Sequence, residues 1–271
     1  MMSTITLGIH GGAGRLGRRI TALALADPRF SLRAVVVRHG SDAMGQDVGL
    51  LAGAEPVGIL AGADPETLIA CDVVIDVSSP AAAASLAGLL AKGGAKALVT
   101  GTTGWTDAQD ETLSRAANDM AILRSGNFSL GVTALVHQVQ EAAARLGPDW
   151  GVHIHDIHHS AKKDTPSGTA LMLADAVRAG WDHSVTPKCL AVGAPLEENP
   201  TRGEIIITAE RKGQVVGTHD VTFYGAGETL CFTHTAQSRD IFAYGALQAA
   251  QWLAGKKARL YTMQEVMSPQ D

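Results

Sequence analysis

The sequence predicts an α/β protein, with a parallel sheet covered by helices in its first half and a strand-rich second region. Three observations carry this. Short apolar runs alternate with helical patterns from Ile5 to about residue 123, as parallel strands joined by helical crossovers do. A glycine-rich turn, GGAGRLGRR at 11–19, stands between the first apolar run and the first helical pattern. From Gly203 onward, strand-like segments follow one another with only glycine-bearing turns between them.

In chain order, the strand candidates of the first half are Ile5–His10, 32–37, Val73–Asp76, Ala97–Thr100 and 121–123. The helices between them are 16–25, 81–90 and 108–117. These strands are apolar throughout rather than alternating, as expected where both faces of a sheet are covered. After Asn127 the period changes: Val132, Leu135, Val136, Val139 and Leu146 recur at helical spacing. A strand-like 152–158 comes next, then a helix over 170–178. The segments EIIITAER (204–211), QVVGTHDVTFYG (214–225) and TLCFTHTA (229–236) read as successive antiparallel strands. Lys212-Gly213 punctuates the first pair and Gly225-Ala226-Gly227 the second. A last helix, 241–254, is expected to return to the first region.

Composition narrows the function. The 271 residues are 46% hydrophobic and 18% charged, which fits a globular protein with a substantial core of about two domains. The net charge of −5 gives no global attraction to nucleic acid or to an anionic membrane, so any anion site must be local. Cys71, Cys189 and Cys231 lie far apart, without zinc spacing. No metal is expected, and an odd, unframed set of thiols fits a reducing cytoplasm. The longest uncharged runs, 77–91, 125–140 and 241–255, are too short to cross a bilayer, and no secretory signal pattern opens the chain.

Gly11, Gly14 and Gly17 form a GxxGxxG pattern directly after a strand and at the start of a helix. Glycine lets a pyrophosphate approach the backbone, and the helix N-terminus favours its charge. A turn that merely packs helix on strand is the bland alternative; the flanking strand and helix weigh against it. The end of the second strand discriminates between cofactors. NAD binders place an acid there for the ribose hydroxyl, whereas this chain has Val36-Val37-Arg38-His39. Arg38 is suited to a 2′-phosphate, with a solvated surface arginine as the bland alternative; the missing acid makes NADPH the expected cofactor, with NADH as its alternative. Gly101-Thr102-Thr103-Gly104 and Ser125-Gly126-Asn127-Phe128 follow later strands, at the carboxyl ends where open parallel sheets bind ligands.

The densest chemistry lies in HDIHHSAKKDTPSGTA, 155–170. It places proton donors and positive charge beside a Pro-Ser-Gly-Thr turn that opens a helix. A helix start is an anion site. The combination reads as a pocket for a small carboxylate-bearing substrate that receives a proton. Around it, His153 and His155 alternate with Val152 and Ile154 and read as the exposed face of a strand. His219 and His234 read as structural, Asp164 as a capping or orienting group, and Lys163 as a solvated neighbour. The spacing of His158 and Lys162 suits one face of either a helix or a strand.

These residues resemble the 4-hydroxy-tetrahydrodipicolinate (dihydrodipicolinate) reductase family. The matching residues are GGAGRLGR at 11–18, GTTGW at 101–105, GNFSLGV at 126–132, HHSAKKDTPSGTA at 158–170 and the Ser238-Arg239 pair, in family order along nearly the whole chain. The family signature E-x-H-H-x-x-K-x-D-x-P-S-G-T-A is kept except that Asp156 stands for the leading Glu. The resemblance implies a Rossmann-like dinucleotide-binding domain, 1–127, completed by about 240–271. It also implies an α+β substrate-binding domain, 128–239, whose mixed sheet builds a homotetramer. The implied reaction is NAD(P)H reduction of a small cyclic dicarboxylate in diaminopimelate and lysine biosynthesis. His158 falls on the catalytic donor and Lys162 on a second proton-donating lysine. His159, Gly168 and Thr169 fall on substrate-binding positions; Ser167 and Arg239 suit the two carboxylates, with an exposed ion pair as an equal reading of Arg239. Gly11, Gly12, Ala13, Gly14, Arg15, Leu16, Gly101, Thr102, Thr103, Ser125, Gly126, Asn127 and Phe128 fall on cofactor loops. Two departures stand out: Val37 where many members carry an acid, and Ser79 where some carry Arg. Two rival readings stay open. One is another NAD(P)H-dependent reductase of a cyclic imine or aspartate-family metabolite, of which the thioester-forming kind needs a placed cysteine. The other is a non-catalytic NADP-binding sensor, which would not need His158 and Lys162 together.

Overall fold

The computed structural model of the chain describes residues 4–181 and 185–268. In chain order the elements are β1 (Ile5–His10), α1 (Arg15–Leu25), β2 (Phe30–Val36), α2 (Val48–Ala52), β3 (Val73–Asp76), α3 (Pro80–Gly93), β4 (Ala97–Thr100), α4 (Asp107–Ala116) and β5 (Ala121–Arg124). They continue with α5 (Leu130–Leu146), β6 (Gly151–His158), α6 (Gly168–Gly180), β7 (Lys188–Cys189), β8 (Ile205–Arg211), β9 (Gly217–Tyr224) and β10 (Thr229–Ala236). The chain ends with α7 (Asp240–Leu253), β11 (Arg259–Tyr261) and α8 (Met263–Met267). Two compact units result: one takes the residues up to Ser129 and those from Asp240 on, the other Leu130–Arg239.

The first unit is a six-stranded sheet in the order β11-β5-β4-β3-β1-β2, parallel at every pair. All four residues of β3 and of β4 are buried, which explains their unbroken apolar runs. Leu86 and Leu90 of α3 and Leu113 of α4 pack with Val74, Leu98 and Ile122 of the strands. β2 lies on one side of β1 and β3 on the other, so the winding reverses at β1. In such sheets ligands bind at the carboxyl ends around that reversal. The second strand starts at Phe30 and ends at Val36 rather than spanning 32–37. The short elements α2, α8 and β11 carry too few residues for a periodic signal.

The second unit is a mixed five-stranded sheet, β10-β9-β6-β8-β7, with α5 and α6 against one face. Val152 and Ile154 of β6, Ile205 and Ile207 of β8 and Val221 and Phe223 of β9 meet Leu135, Val139, Leu173 and Val177 of the helices there. The antiparallel expectation holds for β9 and β10, paired from Thr229↔Tyr224 to Ala236↔Gly217. It fails for β8 and β9 as partners, because β6 lies between them, parallel to β8 and antiparallel to β9. β8 is paired on its two edges by β6 and β7, and its Ile205, Ile206 and Ile207 are all buried. The reading of His153 as an exposed strand position also needs correction. It is half-buried, and its Nε2 lies 2.7 Å from Thr208 Oγ1 on β8. No helix among the described residues is long and apolar enough to cross a membrane.

Candidate active site

The site of the second unit grows from the alternation of β6. Val152, Ile154, Asp156 and His158 share one face. The first two enter the core; the last two continue that face beyond the apolar cluster, buried at 0% and 9% exposure. The register puts His219 of β9 opposite Asp156, and Arg211 of β8 opposite His158. Asp156 Oδ1 lies 3.0 Å from His158 Nδ1 and 3.4 Å from His219 Nε2. Its Oδ2 lies 3.7 Å from Arg211 Nη1. The Ser167 hydroxyl donates to Oδ1 at 2.7 Å and the Ser167 N–H to Oδ2 at 3.0 Å. Burial pushes the Asp156 pKa up, but the His158 and His219 imidazoles and Ser167 more than reverse this, holding the carboxyl far below the usual carboxylate range.

β6 ends at His158, and the chain turns rather than continuing as helix or strand. The Lys162 N–H donates to the His159 carbonyl at 3.1 Å, and the Ser160 N–H to that of Gly213. Arg211 ties this loop to the sheet by donating to the carbonyl of Asp164 at 2.8 Å and to Thr165 Oγ1 at 2.6 Å. α6 then begins, with Ser167 as N-cap accepting from the Ala170 N–H at 3.1 Å. Lys162 Nζ donates to Asp164 Oδ2 at 2.6 Å, and this contact first of all lowers the Asp164 pKa. The pKa of His159 is lowered by desolvation and then by four positive neighbours: Arg239, His158, Lys162 and Arg211. The loop, the sheet edge and the α6 N-terminus thus gather cationic groups around a buried imidazole–carboxylate pair. That arrangement can hold a small dianion and give it a proton.

The structure brings His158, His159, Lys162 and Arg239 into this one cluster. Ser167 is 2% exposed, with its hydroxyl committed to Asp156 and to the helix start, while Gly168 at the first turn is exposed. Lys163 is exposed. Three residues were not read as part of the site: Asp156 was noted only as a departure from a signature, His219 was read as structural, and Arg211 was not singled out. His219 is 4% exposed, and neither of its ring nitrogens makes a hydrogen bond.

In the first unit the predicted cofactor residues lie in three loops leaving β1, β4 and β5, apart from Arg38, which follows β2. Gly11 has φ +85°, open to glycine and strained for other residues. A Cβ on Gly12 would reach 2.1 Å from Val35 Cγ1, and one on Gly17 would reach 2.4 Å from the Gly11 carbonyl oxygen, so the turn closes tightly on the strand. Gly14 is the exposed N-cap of α1, whose first turn holds no acid and no side-chain cap. Its N–H groups suit a pyrophosphate. Ala13 and Leu16 are half-buried, and Arg15 is exposed. A Cβ on Gly126 would stand 3.6 Å from Thr103 Cγ2, which places the second and third loops side by side. Ser125 Oγ donates to the Asn127 carbonyl at 2.6 Å. Phe128 is 3% exposed, and its ring fills the space over Gly101. Beneath the loops is a buried hub that sequence reading did not find. Asp76 Oδ1 lies 2.8 Å from His10 Nδ1 and accepts from Ser78 Oγ at 2.6 Å. Its Oδ2 accepts from Thr100 and Thr102 hydroxyls, each at 2.8 Å. The ends of β1, β3 and β4 are thereby tied together.

A parallel sheet reversing at β1, a glycine turn suited to a dinucleotide and a second unit bearing a buried imidazole–carboxylate pair among cations define a nicotinamide-dependent oxidoreductase. The family model described as "Dihydrodipicolinate reductase, N-terminus" matches residues 5–128, and the one described as "Dihydrodipicolinate reductase, C-terminus" matches 131–267. The chain belongs to the dihydrodipicolinate reductase family. It is 40% identical over 273 residues to the 4-hydroxy-tetrahydrodipicolinate reductase of Methylocella silvestris, covering 98% of each chain. With that of Beijerinckia indica it is 38% identical over 268 residues, again 98% of each. Among solved structures, the dipicolinate-bound dihydrodipicolinate reductase from Paenisporosarcina sp. TG-14 superposes with a TM-score of 0.78 at 21% identity, covering 98% of this chain and 100% of that one. An amine dehydrogenase from Mycobacterium smegmatis shares the fold at a TM-score of 0.66 and 14% identity, over 97% of this chain and 96% of that one.

Proposed function

We propose that the chain reduces 4-hydroxy-tetrahydrodipicolinate to tetrahydrodipicolinate with NADPH in preference to NADH, in the diaminopimelate route to lysine. The observation that carries the chemistry is the cluster of His158, His159, Lys162, Arg211 and Arg239 around the start of α6, with His158 backed by a buried carboxylate. The substrate has two carboxylates, and loss of its hydroxyl as water leaves a conjugated imine. Reduction adds one hydride and one proton to that system. The nicotinamide supplies the hydride when bound. His158 supplies the proton. Lys162 adds positive charge where negative charge develops and serves as a second proton source. His159, Arg239 and the Ser167-Gly168-Thr169 turn hold the carboxylates, Ser167 through the helix start it caps.

In the first unit, Gly11 to Leu16 cradle the pyrophosphate, with Gly101 to Thr103 and Ser125 to Phe128 as the adjoining contacts. Arg38 meets the 2′-phosphate. Cys71 is buried, and burial pushes its thiol up to about 11, so it is no candidate for a thioester route. All three cysteines are free thiols, in keeping with a cytoplasmic enzyme. The sheet face opposite α5 and α6 carries half-buried or exposed side chains such as Thr218, Thr222 and Thr233, and we assign it to a homotetramer interface.

The test is NADPH oxidation by the purified protein with freshly generated substrate. Substrate-dependent oxidation is expected, and His158→Gln should lower kcat by about 10²–10⁴-fold while NADPH affinity stays near that of the parent protein. A protein that binds NADPH and never oxidises it would leave only a binding role. A folded His158→Gln variant with undiminished turnover would remove His158 from the mechanism.

A further inference from the structure

We propose that Asp156 is a positioning residue for this reaction: it fixes which nitrogen of His158 faces the substrate, and His219 and Arg211 converge on it from the two neighbouring strands. The proposal rests on His158 being the proton donor. Asp156 is fully buried two residues before His158 on the same strand face, with Oδ1 3.0 Å from His158 Nδ1. A carboxylate in that place favours the tautomer with its proton on Nδ1 and leaves Nε2 to exchange protons outward. Gly217 makes the outward side usable. It lies two residues before His219 on β9, and a Cβ there would stand 3.0 Å from His158 Nε2. The bare backbone leaves room for a group bonded to that nitrogen.

The surroundings of Asp156 exceed what a helix cap needs. Ser167 alone joins it to α6, through its N–H and hydroxyl. Two imidazoles and a guanidinium converge on it as well. His219 Nε2 stands 3.4 Å from Oδ1, neither of its nitrogens makes a hydrogen bond, and the ring of His234 stacks behind it with centroids 6.0 Å apart. Arg211 stands 3.7 Å from Oδ2 and itself anchors the loop that carries Lys162. A buried carboxylate stays ionised only with such company. Asp156 thus joins the donor, the loop and the helix start through one charge.

The experiment compares Asp156→Asn, Asp156→Glu and the parent protein for kcat, KM, affinity for dipicolinate as a dicarboxylate probe, melting temperature and the 15N shifts of the histidine side chains. Asp156→Asn should lower kcat by about 10²-fold or more, the loss typical of a removed orienting carboxylate. KM and dipicolinate affinity should stay within a few-fold, and Asp156→Glu should restore most of kcat. The 15N shifts should show His158 protonated on Nδ1 in the parent protein, with that preference lost in Asp156→Asn. Unchanged kcat in a folded Asp156→Asn variant, an effect confined to KM, or a parent His158 protonated only on Nε2 would each overturn the proposal. So would activity that chelators abolish and Zn2+ restores, because Asp156, His158 and His219 would then be metal ligands. The shift measurement needs no turnover, so it still tests Asp156 if the parent protein fails to reduce the substrate.

Discussion

Arg38 offers the sharpest test of cofactor choice. It follows β2 at a rigid point of the backbone: the Val37 N–H donates to the Gly62 carbonyl at 2.8 Å, and the Ser41 N–H donates to the Arg38 carbonyl at 3.0 Å. Val37 beside it is buried, whereas Arg38 is exposed, and among the described residues it has no ion-pair partner. A guanidinium about 4 Å from a phosphate gains roughly 1 kcal/mol in water and about 4 kcal/mol near a protein surface. Exposure puts Arg38 toward the lower figure, about 1–2 kcal/mol. Arg38→Ala should therefore lower kcat/KM for NADPH by about 5–30-fold. NADH lacks the phosphate and should change by less than about twofold. The NADPH penalty should shrink in high salt, where exposed charges are screened. Steady-state kinetics with both cofactors at two ionic strengths reads all three outcomes. An advantage for NADH in the parent protein, or equal losses for both cofactors, would refute the reasoning.

Lys162→Met should lower kcat and, if the ammonium also holds a carboxylate, raise KM, whereas the control His153→Gln should leave turnover nearly unchanged; kinetics on the two variants separates them. His153 also governs acid sensitivity. Burial, and then the neighbouring His155, bring its pKa down from 6.5 to about 4 in the folded chain. The unfolded chain therefore takes up a proton that the folded chain refuses, and stability is lost as pH falls from 6.5 toward 4. The full shift corresponds to about 3 kcal/mol, and partial exposure reduces it to about 1–2 kcal/mol. Melting temperature against pH should show this fall, and His153→Gln should flatten it. Light scattering at micromolar concentration should give four times the chain mass; a monomer would refute the tetramer.

The first unit was largely legible because its information is local. Each strand is a self-contained apolar run, each helix has its own period, and the glycine turn announces the β1–α1 junction. What escaped there was short or relational. β11 has three residues and exists by pairing with β5. The Asp76 hub joins His10, Ser78, Thr100 and Thr102, residues separated by up to 92 positions, and none of them is unusual at its place. Arg38 stood out for the opposite reason: the signal is the missing acid beside it, a purely local fact.

In the second unit the boundary between the legible and the hidden passes through Asp156. Its place on the core face was available, since Val152 and Ile154 set the parity and Asp156 and His158 continue it. A charge on a core face is costly unless paired, so parity alone should have flagged Asp156 as a residue with partners. Naming those partners required the strand order. Reading 204–225 as two neighbouring strands pairs β8 with β9 and leaves β6 outside, so neither Arg211 nor His219 meets the site. With β6 between them, one register step brings Arg211 to His158 and another brings His219 to Asp156. The parallel β6–β8 pairing closes across about 50 residues, and nothing within either strand declares it. The histidine-lysine segment was therefore readable from a contiguous motif, while Arg211 and His219, which converge on it, come from two distant strands and enter only through topology.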